Sequence, residues 1–520
     1  MIARRKRIVL YFPQQSDAAS GVPYAKDILP VALLAIAAWP VRDGYEVVVI
    51  DGGLYPQAEA HRRVLEACEG ALLYGTTGIL GFQVTDGTQC TRQVRARFPS
   101  LPAVIGGWFA SSAPELVLAP EDGRSLYDAV AIGQGELTFR ELVAAFDSGT
   151  ALEDVPGLAL WRDGGVVRTA ARGAADWSEL ADVPWHLVDF EPYRRMQLAQ
   201  RGRREGEAMP APPDARAKER RTPWVGISYY SSWGCPLGCA FCCSPEVSGL
   251  RWKAMPAERM LDDLAALQER WGFDVVRFYD ANFGVHEKRA RAFADGLLAR
   301  REKLWHYVFM QADSVVRYAP STLDAMAASG LYVALIGAET GSDSTMAELR
   351  KTTRGDTNLD AAQALARRGV VAQLTYMLGF PGEERASMLA TIDQVRRVQV
   401  ECPLSAPMLW PYRPIPGTPL YRAALEQGFR PPRTLEEWGR DSAYLVREAW
   451  PGRIPPDVQR RRRLLNHYVT LARGRSAPGV FERRARRRLE RDDWRFAAIE
   501  AKAFDVWHRL GRAFRTRGSE

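Results

Sequence analysis

The sequence predicts an α/β protein in three parts. These are an N-terminal doubly wound (Rossmann-like) domain at 1–150, a partial (β/α)6 barrel at 223–420 and a C-terminal α-helical domain at 421–520, with a linker at 151–222. Three observations carry this reading. Short apolar strands alternate with helix-length segments over 8–146, the alternation resumes at Pro223, and it stops after Pro419. Strands that are apolar on both faces and joined through helices form parallel sheets covered on both sides.

In the first part the strands read 8–12 (IVLYF), 45–51, 71–77, 102–108 and 128–135, with helices at 28–42, 57–68, 83–97, 113–119 and 136–147. Glycines follow or close several strands: Gly52-Gly53, Gly75, Gly106-Gly107, Gly133 and Gly135. In open α/β sheets ligands bind beyond the carboxyl ends of the strands, and glycine there lets a ligand approach the backbone. Residues 157–170 alternate around Asp163-Gly164-Gly165 and predict a hairpin. The charged, Pro-rich stretch 201–221 reads as a linker or loop.

The barrel strands read 224–230, 275–280, 306–312, 332–339, 371–380 and 407–412, with helices at 256–271, 286–301, 320–329, 357–368 and 386–399. Six repeats are too few to close an eight-stranded barrel, and such folds carry their active sites at the C-terminal strand ends. The last part reads as helices at 435–446, 458–472 and from Val480 to Phe514.

The 520 residues, 47% hydrophobic, can fill several cores. No apolar run reaches the ~18 residues a membrane span needs. The basic start at Met1 leads into a strand that ends at Pro13, so a cytoplasmic protein is expected. Net charge is +8, with +11 in 421–520 and −3 in the remainder. A basic tail of this kind suits nucleic acid or an anionic surface; the plainer reading is an Arg-rich solvated helical face, and nucleic acid is not expected as a partner. Seven cysteines do not make a disulfide framework. Cys68, Cys90 and Cys402 read as buried small hydrophobes.

The other four lie in SSWGCPLGCAFCCSP, as Cys235, Cys239, Cys242 and Cys243. A Cx3CxxC loop brings three thiolates to one centre, and thiolates are the ligands of iron–sulfur clusters. In a 4Fe-4S cubane three protein ligands leave one iron open. That iron can chelate the amino and carboxylate groups of S-adenosylmethionine, and an electron from the cluster can then break a carbon–sulfur bond. Zinc would take four ligands, usually as two pairs, and no second pair and no His lies within forty residues. A thioredoxin-like CxxC would not need Cys235.

Cx3C-aromatic-C after a barrel strand resembles the signature of radical S-adenosylmethionine enzymes. The resemblance extends over 224–420, through Phe278-Tyr279-Asp280-Ala281-Asn282-Phe283, the Gly337–Ser342 segment, the Gly379–Glu383 turn and the Pro416–Tyr421 motif. It implies metal ligation by Cys235, Cys239 and Cys242. It also implies S-adenosylmethionine contacts from Phe241, Asp280, Gln311, Glu339, Gly379, Phe380 and Pro381. Cys243 is read as a packed neighbour of the ligands.

A doubly wound domain ahead of such a barrel resembles the cobalamin-binding subgroup of that family. The matching residues are GTTG (75–78), VIGGWFAS (104–111) and AIGQGELTFREL (131–142). The resemblance implies cobalamin contacts from Gly75, Thr76, Thr77, Gly106, Gly107, Gln134, Gly135 and Glu136. An ordinary doubly wound domain with another ligand or none is the alternative. The cobalt-ligating DxHxxG motif is absent, and the domain's only histidine, His61, falls in the second helix and is expected at the surface. Methylthiotransferases carry a second cluster on three N-terminal cysteines, whereas only Cys68 and Cys90 precede the barrel here.

The resemblance implies a cobalamin-dependent radical enzyme that methylates an unactivated carbon of a small, natural-product or lipid-like substrate, with flavodoxin or ferredoxin as reductant. Cyclisation, oxidation or rearrangement without methyl transfer uses the same cofactors. A non-catalytic iron–sulfur or cobalamin sensor is the alternative of another class. Trp185, Trp224, Trp233, Trp410 and Tyr412 are candidate pocket aromatics, with core packing as the plainer reading.

Overall fold

The computed structural model describes residues 6–15, 28–121, 123–200, 212–213, 224–301, 304–440, 448–473 and 479–504. The chain forms two compact units: 1–309, 328–331 and 413–447 in the first, and 310–327, 332–412 and 448–520 in the second.

The first unit opens with β1 (Arg7–Phe12), β2 (Glu46–Asp51), β3 (Leu73–Thr77), β4 (Ala103–Gly106) and β5 (Ala129–Ala131), all parallel, in the order β2-β1-β3-β4-β5. The reversal of winding between β1 and β3 makes the C-terminal end of this sheet a ligand-type crevice. Alternating strand residues feed two cores. Val9, Tyr11, Tyr74 and Val130 pack with the helices Gln57–Ala67 and Phe82–Arg97. Ile8, Leu10, Leu73 and Ala129 pack with Val31–Arg42 and Glu136–Ser148 on the other face.

The expected hairpin is β6 (Leu158–Arg162) and β7 (Gly165–Arg168), antiparallel across Asp163 and Gly164. Both turn residues have positive φ, 48° and 83°, the pattern that matches strand twist in a two-residue hairpin. β6 pairs antiparallel with β5, so the hairpin extends the N-terminal sheet into the stretch read as linker. The loop read at 201–221 lies almost wholly outside the described residues.

The same unit continues with β8 (Gly226–Tyr229), β11 (Val275–Phe278) and β12 (Trp305–Met310), parallel in that order. A short antiparallel pair, β9 (Ser232–Gly234) and β10 (Trp252–Ala254), brackets the cysteine loop. Gln197, on the helix Glu191–Gln200, donates to the Gly226 carbonyl and accepts from the Gly226 N–H, both at 2.8 Å, and so satisfies the edge of β8.

The second unit holds β13 (Leu331–Glu339), β14 (Val371–Leu378) and β15 (Met408–Pro411), again parallel, and the strand order is open. The helices Arg385–Glu401, Pro456–Ala472 and Gly479–Arg491 pack together here. The single long helix expected from Val480 is not formed. It stops at Arg491, and Asp492 and Phe496 take positive φ, 48° and 56°, before a second helical stretch at 497–504. The reading of 505–514 lies outside the described residues. Among the described residues no helix is long and apolar enough to cross a membrane.

Candidate functional site

The cysteine loop follows β8 and β9 at their C-terminal side. Gly234, the last residue of β9, has φ +76°, and a Cβ there would lie 2.1 Å from the Arg251 carbonyl oxygen. Only glycine lets the chain turn into Cys235 at this point. Cys235 and Cys239 are buried, and Cys242 is half-buried. The Cys242 N–H donates to the Cys239 carbonyl at 3.2 Å and closes the turn. Cys243 lies beside Cys242, and the hydrogen bond between their side chains lowers its pKa.

Asp280 follows β11 and is 1% exposed. Its Oδ1 accepts the Ser231 N–H at 2.7 Å, and its Oδ2 accepts the hydroxyls of Ser231 and Ser232 at 2.6 and 2.7 Å. Both oxygens thus serve the strap between β8 and β9. From the far side the Leu420 N–H donates to the Ala240 carbonyl, between Cys239 and Phe241, at 3.0 Å. The 416–421 motif is therefore a latch on the loop. Thr418 caps the helix Pro419–Glu426, and Gly417 (φ +85°) allows contact with the Ser112 carbonyl.

Among the described residues no three His, Cys, Asp or Glu side chains converge as for a single metal ion. A cubane places its three protein ligands on separate irons, so its thiolates need not share one point. The donor set, three cysteines on one loop, fits such a cluster.

In the second unit the structure brings Gln311 and Glu339 together through a residue the sequence reading did not select. The Lys351 ammonium donates to Gln311 Oε1 at 2.7 Å, to the Gly337 carbonyl at 2.8 Å and to Glu339 Oε1 at 2.9 Å. The Lys351 and Glu339 side chains are 3% and 8% exposed. Glu339 has φ +61°, at a register shift between β13 and β14. A bulky residue held there is a marked backbone outlier of the kind that gathers at functional sites.

The Gly379–Glu383 turn leaves β14 with Gly379 and Gly382 at φ +89° and +77°. Glu383 Oε2 accepts the N–H groups of Gly379 and Phe380 at 2.6 and 3.1 Å. Burial pushes this carboxyl up to about 7, against those two bonds and the nearby Arg453. Phe380 is 1% exposed and packs on Tyr412 at 4.9 Å between ring centroids. Tyr412 is thus core, as is Trp224, 9% exposed, while Trp185 is half-buried and stacks on Tyr229.

Along the N-terminal sheet, Thr77, Gly106, Gly107, Gln134, Gly135 and Glu136 follow one another around the ends of β3, β4 and β5. Gly107 (φ +94°) lies so close to Thr77 that a Cβ would sit 2.6 Å from its hydroxyl. Gln134 accepts the Ala175 N–H at 2.8 Å, and burial raises the pKa of Glu136 in the first turn of its helix. Thr76 donates to the Tyr11 carbonyl. Gly75 lies inside β3, where a Cβ would meet Leu10 at 2.9 Å, so it belongs to the core and not to the strand end.

The expectation of a surface His61 is corrected: the side chain is 4% exposed. Its Nε2 pairs with Asp86 at 2.9 Å and its Nδ1 with Gln93 at 3.0 Å. Asp86, fully buried, also takes the Tyr11 hydroxyl at 2.6 Å, the Gln14 N–H at 2.7 Å and Gln57 at 2.7 Å. A buried acid was not legible because Asp86 sits in a polar helical run, TDGTQCT, which reads as a solvated face.

This α/β architecture and cysteine loop define a class, and the comparisons agree with it. Residues 229–395 match the radical SAM superfamily, so this segment is a radical SAM domain. Among its relatives is a Pyrococcus horikoshii protein named as an uncharacterised methyltransferase, 26% identical over 323 residues. The match covers 62% of each chain, so it spans less than two thirds of that relative's length. The anaerobic magnesium-protoporphyrin IX monomethyl ester cyclase of Synechocystis is 24% identical over 391 residues, covering 75% of this chain and 72% of that one. In fold, the radical S-adenosylmethionine methyltransferase TsrM of Kitasatospora setae matches with a TM-score of 0.64 at 18% identity, over 97% of this chain and 100% of that chain.

Proposed function

We propose that this chain is a cobalamin-dependent radical S-adenosylmethionine enzyme that methylates an unactivated carbon of a small molecule. One observation carries the reading. Within the first unit, the cysteine loop and the glycine-bordered strand ends of the doubly wound sheet are tied together. A Cβ on Gly133, after β5, would lie 3.3 Å from the Val247 carbonyl in the helix that follows the cysteines. The helix after β4 packs on the same helix and meets the 416–421 latch at Ser112.

When bound, the cluster supplies the electron that cleaves S-adenosylmethionine, and cobalamin supplies the methyl group. Cys235, Cys239 and Cys242 hold the cluster in this reading, and Asp280 acts at one remove by fixing Ser231 and Ser232 ahead of them. Gln311, Glu339, Gly379, Phe380 and Pro381, all in the second unit, are the proposed S-adenosylmethionine contacts of that unit. Thr76, Thr77, Gly106, Gly107, Gln134, Gly135 and Glu136 border the corrin. His61 has both ring nitrogens engaged by Asp86 and Gln93, so no lower cobalt ligand comes from it. The likeness to two proteins named as methyltransferases supports methyl transfer.

The cyclase relative favours a second reading, ring formation or oxidation with the same cofactors. The deciding experiment is anaerobic reconstitution, extraction of cobalamin, and incubation with reductant, methyl-labelled S-adenosylmethionine and a metabolite extract. Methylation predicts deoxyadenosine release together with label in a small-molecule product. A transformed product without label would overturn methylation and leave the cyclase reading.

A further inference from the structure

Arg453 stands just ahead of the helix Pro456–Ala472 in the second unit and reaches the Gly379–Glu383 turn of the same unit. Its Nε donates to the Phe380 carbonyl at 3.0 Å and its Nη2 to the Glu383 carbonyl at 2.9 Å; Nη2 also reaches the Phe380 carbonyl. From the opposite side Glu383 Oε2 takes the N–H groups of Gly379 and Phe380. Phe380 is therefore held by both its N–H and its C=O. The next residue, Ile454, fills the space where a Cβ on Gly379 would fall, at 2.8 Å.

Two glycines of the turn, Gly379 and Gly382, sit at positive φ, where the backbone has alternatives within easy reach. A planar guanidinium that bridges two carbonyls removes those alternatives, since its donors lie in a fixed fork. The arginine is itself anchored. The Ile454 N–H donates to Glu448, which also takes Gln459, and Asp457 pairs with Arg385 at the start of the helix that follows the turn. The segment 448–459 thus reads the shape of a turn that ends a barrel strand.

We propose that Arg453 is a positioning residue that holds the Gly379–Glu383 turn in its S-adenosylmethionine-binding shape. The C-terminal helical segment is then part of the cofactor site's machinery and not an appendage. This rests on the reading of the turn as an S-adenosylmethionine contact.

The test compares wild type, Arg453→Met and Arg453→Lys as full-length chains, with two readouts. The first is hydrogen exchange of the as-purified protein. Met should speed exchange in the peptide containing 379–384 and leave the 235–243 peptide unchanged, and Lys should restore protection in part. The second is equilibrium dialysis of S-adenosylmethionine on the reconstituted enzyme. Charge-assisted hydrogen bonds of this type predict an affinity loss of about 10- to 100-fold for Met, at unchanged iron and sulfide content. Unchanged exchange at 379–384 in Met overturns the positioning role whatever the cofactor does. Faster exchange with unchanged affinity overturns the link to the cofactor. A wild type that builds a cluster but binds no S-adenosylmethionine overturns the functional reading and that link with it, while the exchange result still decides the clamp. Should Met not accumulate, Arg453→Gln carries the same comparison.

Discussion

Glu339 holds a backbone conformation that costs a non-glycine residue on the order of 1–3 kcal/mol, and Lys351 is what keeps it there. The ammonium spends three donors on Gln311, Gly337 and Glu339, all at hydrogen-bond distance. Breaking a buried ion pair by removing one partner costs ~3–5 kcal/mol, because the other charge stays buried. Lys351→Met should therefore lower the melting temperature by several degrees, and adding Glu339→Gln should recover part of the loss. A Lys351→Met protein as stable as wild type would show that the ammonium does not hold the pair.

Glu383 makes a second prediction at this scale, from its titration. Burial lifts its folded-state pKa to about 7, against about 4.3 in an unfolded chain. A raised pKa means that the stability this group contributes is complete below about 4.3 and is lost as pH rises through about 7, a difference on the order of 3 kcal/mol. The turn should be firmest below about pH 4.3 and loosen as pH rises to about 7. Glu383→Gln, which keeps an acceptor for Gly379 and Phe380 but has no charge, should flatten the dependence of melting temperature on pH between those values. An unchanged slope in the variant would assign the dependence to other groups.

A motif marks Glu339 in the sequence and its place after a strand marks Gln311, whereas nothing marks Lys351, Arg453 or His61 as partnered. Whether a polar residue is buried depends on distant segments, and Lys351 stands in RKTTR, which reads as a solvated charge run.

At the scale of the element, most strands and helices of the parallel sheets were legible to within a few residues, because most of those strands are apolar on both faces and most helices have one apolar face. The strand read at 128–135 is only Ala129–Ala131, however, and the β9–β10 pair and the helices Glu191–Gln200 and Pro419–Glu426 were not read. The helix Phe82–Arg97 shows where that signal fails. It buries Gln83, Thr85, Asp86, Thr88 and Thr91, a polar face that periodicity assigns to solvent. The polar groups are answered by Tyr11, Tyr74, Tyr127 and the helix Leu435–Arg440, where Gly439 packs on Thr85 too closely for any side chain. The split of the expected long C-terminal helix was hidden for a different reason, since no Gly or Pro marks Asp492 or Phe496.

The short β9–β10 pair yields the prediction proper to this scale. Gly234 is required by its positive φ and by the Arg251 carbonyl, so Gly234→Ala must shift β9 against β10. The variant removes no thiol, yet it should lower iron and sulfide incorporation several-fold in parallel reconstitutions. Full incorporation would show that the cysteine loop keeps its shape without the pair.

For the whole molecule, motifs run along the chain while compactness does not follow them. The boundary read at 222 separates two recognisable sequence patterns, yet the doubly wound sheet and β8, β11 and β12 belong to one unit. The ties are specific. Gln197 satisfies both backbone groups of Gly226, Ser228 accepts the Leu29 N–H at 2.8 Å, and the Tyr193 hydroxyl donates to buried Asp51. None has a sequence signature, because each joins residues from different motifs. A chain cut at 222 and expressed as 1–222 and 223–520 would leave Gly226 without its edge partner and Ser228 and Leu29 without each other. Each orphaned buried group costs ~1–3 kcal/mol, against a net stability of only ~5–15 kcal/mol for a typical domain. The separate fragments should therefore aggregate or melt well below the intact chain, and co-expression should restore a soluble complex that co-purifies. Two fragments that each melt cooperatively at the temperature of the intact protein would mean that the pattern boundary is also a folding boundary. The shared unit would then be two domains in contact, and the tie between the strand-end loops and the cysteine loop would lose its claim to hold two cofactors on one body.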